Sequence, residues 1–218
     1  MTIRDTLRAF LMRSPAGAEW VACRALRRDS HLRHAGWFRS VYKSASVDAA
    51  DEPLPWYTYA AIHFVAGRVQ PEMSVFEYGS GNSTLWWSRR VAHVSSSEHD
   101  RQWYTAMKDQ FPANVNCQFV ELDEQDSYPL SIRKTSQRFD VIVIDGRQRN
   151  RCAQAALDAL TDRGVIIWDN TDREEYRPGV EGLLQANFRR LDFHGMAPIN
   201  TLASCTSVFY RPGNVFGI

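Results

Sequence analysis

The feature that most constrains this chain is the run Phe139-Asp140-Val141-Ile142-Val143-Ile144-Asp145-Gly146, in which four consecutive β-branched residues show no polar alternation. A strand with one wet face alternates apolar and polar residues. A run that is apolar throughout predicts a strand covered on both faces, as in parallel sheets. Short β-branched runs recur at 73–77, 92–96, 115–120 and 164–169, separated by helical stretches at 83–92, 100–111, 150–161 and 174–187. The alternation predicts an α/β fold, a doubly wound and mostly parallel sheet with helices on both faces. Two late strands, near 188–197 and 205–211, leave no room for a helix between them. They are expected to pair as a hairpin and to bring one antiparallel strand into the sheet.

Upstream of the sheet the pattern differs. Residues 4–13 set Leu7, Phe10 and Leu11 on one helical face with Arg4, Arg8 and Arg13 elsewhere. A second helix is expected over 16–28, a polar, Pro-terminated linker over Ser44 to Pro55, and a helix over Tyr57 to Val69. The chain is therefore read as a basic helical segment with its linker, 1–54, followed by one α/β domain, 55–218. At 218 residues the length suits a single domain with a substantial core.

The net charge of +1 carries no global signal for nucleic acid, which is not expected as a partner. Residues 1–44 nevertheless hold nine Arg or Lys against three Asp or Glu. With Trp20, Trp37 and Phe38 among these charges, the block suits a cap over a site, a homodimer element or a peripheral contact with an anionic membrane surface. The four cysteines form no close pairs, as expected for reduced thiols. No apolar run approaches the roughly 20 residues of a membrane span, and no secretory apolar core is present. A cytoplasmic location is expected.

The stretch Val75-Phe76-Glu77-Tyr78-Gly79-Ser80-Gly81-Asn82-Ser83-Thr84 carries the most chemistry. An apolar strand ends in an acid, a Gly-Ser-Gly turn follows, and Ser83 or Thr84 can cap the next helix. Glycines let the backbone approach a ligand, and free amides at a helix start donate to it. A dinucleotide-binding GxGxxG loop is the first rival, but Thr84 stands where its third glycine would be. The second strand ends in Glu98, 17 residues after Gly81, where a carboxylate can accept both hydroxyls of a ribose.

With Glu77-Tyr78-Gly79-Ser80-Gly81, Glu98 and the strand at 139–146, the chain resembles the class I S-adenosylmethionine-dependent methyltransferases over about residues 55–211. The resemblance implies a Rossmann-like seven-stranded sheet and S-adenosylmethionine as cofactor. It implies that the first loop (Glu77 to Gly81, with Ser83 and Thr84) holds the methionine end. Glu98 would then bind the ribose, His99 would lie beside the adenine, and Asp145 would contact the cofactor.

Asp145 ends the fourth strand, and Asp169-Asn170 end the fifth. Three oxygen ligands on one rim suit Mg²⁺, which activates a hydroxyl nucleophile. The set looks like the metal triad of the catechol and caffeoyl-coenzyme A O-methyltransferases, which gives Asp145 a metal-assisted catalytic role. Gln148 stands where the catechol enzymes carry a lysine base, so the base is not identified. Metal-free methyltransferases also carry an acid after strand four, and Asp-Asn can simply cap a helix.

For the acceptor, a small hydroxylated metabolite or sugar methylated on oxygen, the candidates are Trp56, Tyr57, Arg147 and Asn200. Arg147 opens an Arg-Gln-Arg-Asn-Arg run suited to an anionic group, and Asn200 lies in the loop between the last two strands. His63, His93, His99 and His194 are scattered, with no partner at metal-ligand spacing. Two other readings stay open: a nicotinamide-dependent oxidoreductase and a non-catalytic scaffold.

Overall fold

The computed structural model describes residues 3–218. The side chains of residues 3–5 and 7 lie outside the described residues, and with them the expected roles of Arg4 and Leu7 on the first helical face. Helices α1 (Ile3–Leu11), α2 (Pro15–Arg28), α3 (His31–His34), α4 (Trp37–Lys43) and α5 (Tyr59–Ala66) precede the sheet. The strands are β1 (Ser74–Tyr78), β2 (His93–Glu98), β3 (Val115–Phe119), β4 (Phe139–Ile144), β5 (Leu160–Asp169), β6 (Arg189–Met196) and β7 (Ala203–Tyr210). Between them lie α6 (Asn82–Ser88), α7 (Arg101–Met107), α8 (Arg149–Ala159) and α9 (Arg177–Gln185).

The seven strands form one sheet in the order β3-β2-β1-β4-β5-β7-β6. Pairing is parallel from β3 through β5, and β7 is antiparallel to both β5 and β6. This is the expected Rossmann-like α/β sheet with its C-terminal hairpin and one antiparallel strand. The unalternating strands are buried on both sides. Val75, Val141, Val143, Val165 and Ile167 face one core with Ile62 and Val65 of α5 and Trp86 and Trp87 of α6. Phe76, Ile142, Ile144, Ile166 and Trp168 face the other core, closed by the alanine face of α8 and by Val180 and Leu183 of α9. Small residues on α8 let it lie close against the aromatic side of the sheet.

Two expectations differ in detail. Strand β5 starts at Leu160 rather than 164, because Leu160 pairs with Phe139 before a register shift brings Val165 opposite Val141. The segment 44–55, polar by composition, folds into a fixed turn. Ser40 Oγ donates to Val47 O at 2.6 Å, Ser46 Oγ donates to Pro55 O at 3.1 Å, and Val47 bridges Pro53. Side-chain hydroxyls satisfy the backbone there in place of a ladder. Asn82 Nδ2 donates to Ser46 O at 2.7 Å and Trp37 Nε1 to Asn200 O at 2.8 Å, so the helical segment touches both the first loop and the β6–β7 loop.

Candidate cofactor and acceptor site

The carboxyl ends of β1, β2, β4 and β5 open into one cavity of about 720 Å³, the size of a small-molecule site. At its floor β1 delivers Glu77 into a turn made by Gly79 (φ 101°) and Gly81 (φ 154°), backbone angles that a side chain disfavours. The turn is fastened from within: Gly81 N–H donates to Thr84 Oγ1 at 3.0 Å, and Thr84 Oγ1 donates to Glu77 Oε2 at 2.6 Å.

Glu77 is 2% exposed. Burial pushes its carboxyl from the ordinary 4.5 up to about 8, against the pull of the Thr84 and Ser83 hydroxyls. A group that holds its proton more tightly when folded stabilises the fold fully below its unfolded pKa. That contribution fades as pH rises through the folded value, so the part of stability due to Glu77 falls between about pH 5 and 8. Glu77→Gln is expected to flatten this fall in urea titrations across the window. An unchanged slope contradicts the assignment.

Glu98, 4% exposed, latches the loop to β2. Its Oε2 accepts from Ser80 N–H at 3.0 Å and from Ser80 Oγ at 3.1 Å, and its Oε1 accepts from the N–H groups of His99 and Asp100, both at 2.8 Å. His99 Nδ1 lies 3.0 Å from Glu98 Oε1 but outside hydrogen-bonding geometry, and its ring meets Tyr128 edge-on. Trp103 of α7 forms a further wall, donating from Nε1 to Ser80 O at 2.8 Å with its ring against Gly81.

The turn after β4 also requires a glycine. A Cβ on Gly146 would stand 2.0 Å from Tyr128 Oη. Beyond it Arg149, 8% exposed, reaches back across the rim. Its Nη2 donates to Asp145 Oδ1 at 2.9 Å and Asp145 O at 3.2 Å, its Nη1 to Asp169 O at 2.5 Å and Asn170 Oδ1 at 3.3 Å, and its Nε to Gly146 O at 2.9 Å. Asp169 Oδ1 accepts from Thr206 Oγ1 at 2.5 Å. Burial raises the carboxyls of both aspartates. For Asp145 the Arg149 charge opposes the rise, and for Asp169 the neighbouring Asp145 adds to it.

Asp145, Asp169 and Asn170 thus converge on one rim, as expected, but they do not fit a divalent ion. Each already gives a ligand oxygen to a protein donor, and a guanidinium lies among them. Among the described residues, Asp192, His194 and Cys205 bring their ligand atoms within 4.8 Å of one another. Sequence spacing gave His194 no such partners; the β6–β7 pairing of His194 with Cys205 supplies them. Asp192 Oδ1 is already engaged by Arg190 and Ser207.

Of the other expected residues, Tyr78, Ser80, Ser83, Trp56, Arg147 and Asn200 line the cavity. Tyr78 turns its ring into the core, its hydroxyl donating to Pro129 O at 2.6 Å. Tyr57 is fully buried behind the wall and accepts from Trp87 Nε1 at 3.5 Å, and Thr84 is buried beneath the loop. Sequence reasoning missed Asp100, Trp103 and Arg173 and took Arg149 only as part of the arginine run; all four also line the cavity. Arg147 has no side-chain partner among the described residues, and the nearest acid to Arg173 is Glu175 at 4.0 Å.

No family model and no curated protein matches the chain. Solved structures do. The chain superposes on precorrin-6y C5,15-methyltransferase from Geobacter metallireducens with a TM-score of 0.54 and 14% identity, over 70% of this chain and 87% of that one. A methyltransferase-like protein from Silicibacter pomeroyi matches with a TM-score of 0.50 and 23% identity, over 74% and 91%. A provisionally assigned methyltransferase from Streptococcus mutans, in complex with SAH, matches with a TM-score of 0.50 and 12% identity, over 68% and 94%. At these identities the likeness defines the fold, which is that of the class I methyltransferases. No helix among the described residues is long and apolar enough to cross a membrane.

Proposed function

We propose that this chain is an S-adenosylmethionine-dependent methyltransferase acting on an oxygen of a small hydroxylated metabolite or sugar that also carries an anionic group. The observation that carries the reading is the meeting of the Gly79–Gly81 turn with the Glu98 carboxylate inside one cavity at the ligand-binding edge of this fold. A likeness to a solved structure that holds SAH supports the cofactor.

The cofactor, when bound, supplies an activated methyl group on a sulfonium. The chain's residues do the rest. The glycine turn admits the methionine end without a Cβ in the way, and Glu77 beneath it offers a carboxyl to an ammonium. All four acceptor sites of Glu98 are filled, but the Ser80 hydroxyl can rotate aside and free one for a ribose hydroxyl. His99 and Trp103 flank that position with flat faces. Asp145, bonded to Arg149 through one oxygen, takes the proton from the acceptor hydroxyl. Arg147 and Arg173, neither closely paired, bind a carboxylate or phosphate on the acceptor. This chemistry is assigned to residues 55–218, which Trp37 and Ser46 of the preceding segment touch at Asn200 and Asn82.

The test is SAH release from S-adenosylmethionine across a panel of hydroxylated carboxylates, sugar phosphates, neutral sugars and amines of similar size. Turnover is expected with the anionic members, and Asp145→Asn should cost roughly 10²- to 10⁴-fold in kcat, the usual worth of a positioned base. Turnover confined to amines overturns oxygen as the acceptor atom. Equal turnover of neutral and anionic sugars overturns the anionic group.

A further inference from the structure

The rim formed by Asp145, Asp169 and Asn170 has the oxygen chemistry of a hard-cation site, yet its central position is filled from within the chain. A guanidinium carries five N–H donors. Arg149 directs them to five acceptors, namely Asp145 Oδ1 and O, Asp169 O, Asn170 Oδ1 and Gly146 O. These span the ends of β4 and β5, the two elements whose loops an ion would have to join. Thr206 Oγ1 on β7 occupies the remaining aspartate through Oδ1. Arg149 is buried and rests over the ring of Tyr176 at 5.2 Å, so it is packed as well as paired. Mg²⁺ demands near-octahedral oxygen geometry at about 2.0–2.1 Å. Here it would have to displace a buried cation from its acceptors and then remain beside it.

We propose that Arg149 is the resident cation of this site. Its guanidinium ties together the acidic ends of β4 and β5 where an ion would otherwise sit, and the site works without a divalent metal. Arg149 is a positioning residue: its donors are used up by the protein, and it acts by fixing how Asp145 and Asn170 face the cavity. The inference rests on the rim's geometry and holds whether or not the chain transfers a methyl group.

The experiment is Mn²⁺ binding followed by electron paramagnetic resonance on the full chain, which needs no substrate or cofactor. Wild-type protein is expected to take up no Mn²⁺ beyond what Asp145→Asn takes up. Arg149→Ala, checked for folding by circular dichroism, is expected to gain one site at least tenfold tighter than any in the wild type. Adding Asp169→Asn should remove that site. If Arg149→Ala does not fold, Arg149→Met, which keeps much of the stem volume, takes the same measurement. One Mn²⁺ bound by wild-type protein and lost in Asp145→Asn overturns the proposal. So does a folded Arg149 variant that gains no site, because the rim oxygens would then not be arranged around a cation.

Discussion

Glu98→Ala is expected to reduce affinity for SAH by roughly 10- to 100-fold or more, the worth of losing a hydrogen bond to a charged group in a buried site. The side chain does two things at once. It accepts the N–H groups of Ser80, His99 and Asp100, which joins the glycine turn to the end of β2, and it lines the cavity. Truncation leaves three loop amides without that acceptor and removes the ligand's partner. Glu98→Gln keeps one carbonyl oxygen and should fall between wild type and Ala. Calorimetry of SAH binding checks the order; equal affinity in all three proteins would show that Glu98 fastens the loop but does not touch the ligand.

The second large effect is expected at Gly146. An added methyl would stand 2.0 Å from Tyr128 Oη and 3.1 Å from the carbonyl carbon of Tyr78. Overpacking of this kind costs about 1–3 kcal/mol, and here it falls on the turn that carries Asp145. Gly146→Ala should lower both stability and SAH affinity. The nearest clash is with a single hydroxyl, so Tyr128→Phe should restore much of the loss. The double-mutant cycle in urea is expected to show favourable coupling between contacting sites. Additive losses would mean that the Tyr78 backbone, not Tyr128, sets the limit.

The strands were legible because burial on both faces leaves an unalternating apolar run, and Val141 to Ile144 has no other economical reading. The cofactor loop was legible for a related reason: an acid at a strand end, followed by two glycines, is a local pattern. What pairs across the fold was not. Trp103 looks like an ordinary helix aromatic until the β2–α7 turn brings its Nε1 to Ser80 O. In Arg-Gln-Arg-Asn-Arg the sequence drew attention to Arg147, whereas the i,i+4 spacing from Asp145 marks Arg149 as its ion-pair partner. That spacing was the signal available. Trp56 and Tyr57 are both acceptor candidates by sequence, but the chain bends at these two residues and sends their side chains to different places. Trp56 lines the cavity and Tyr57 enters the core. The 44–55 turn read as a linker because composition does not reveal that the Ser40 and Ser46 hydroxyls satisfy its backbone.

The central claim is that the cavity above β1 and β2 binds S-adenosylmethionine. Its most direct test is calorimetric titration of wild-type protein with SAH and, separately, with reduced nicotinamide adenine dinucleotide. The account predicts saturable one-to-one binding of SAH and none of the dinucleotide. Well-folded protein that ignores SAH, or that binds the dinucleotide in its place, would contradict it.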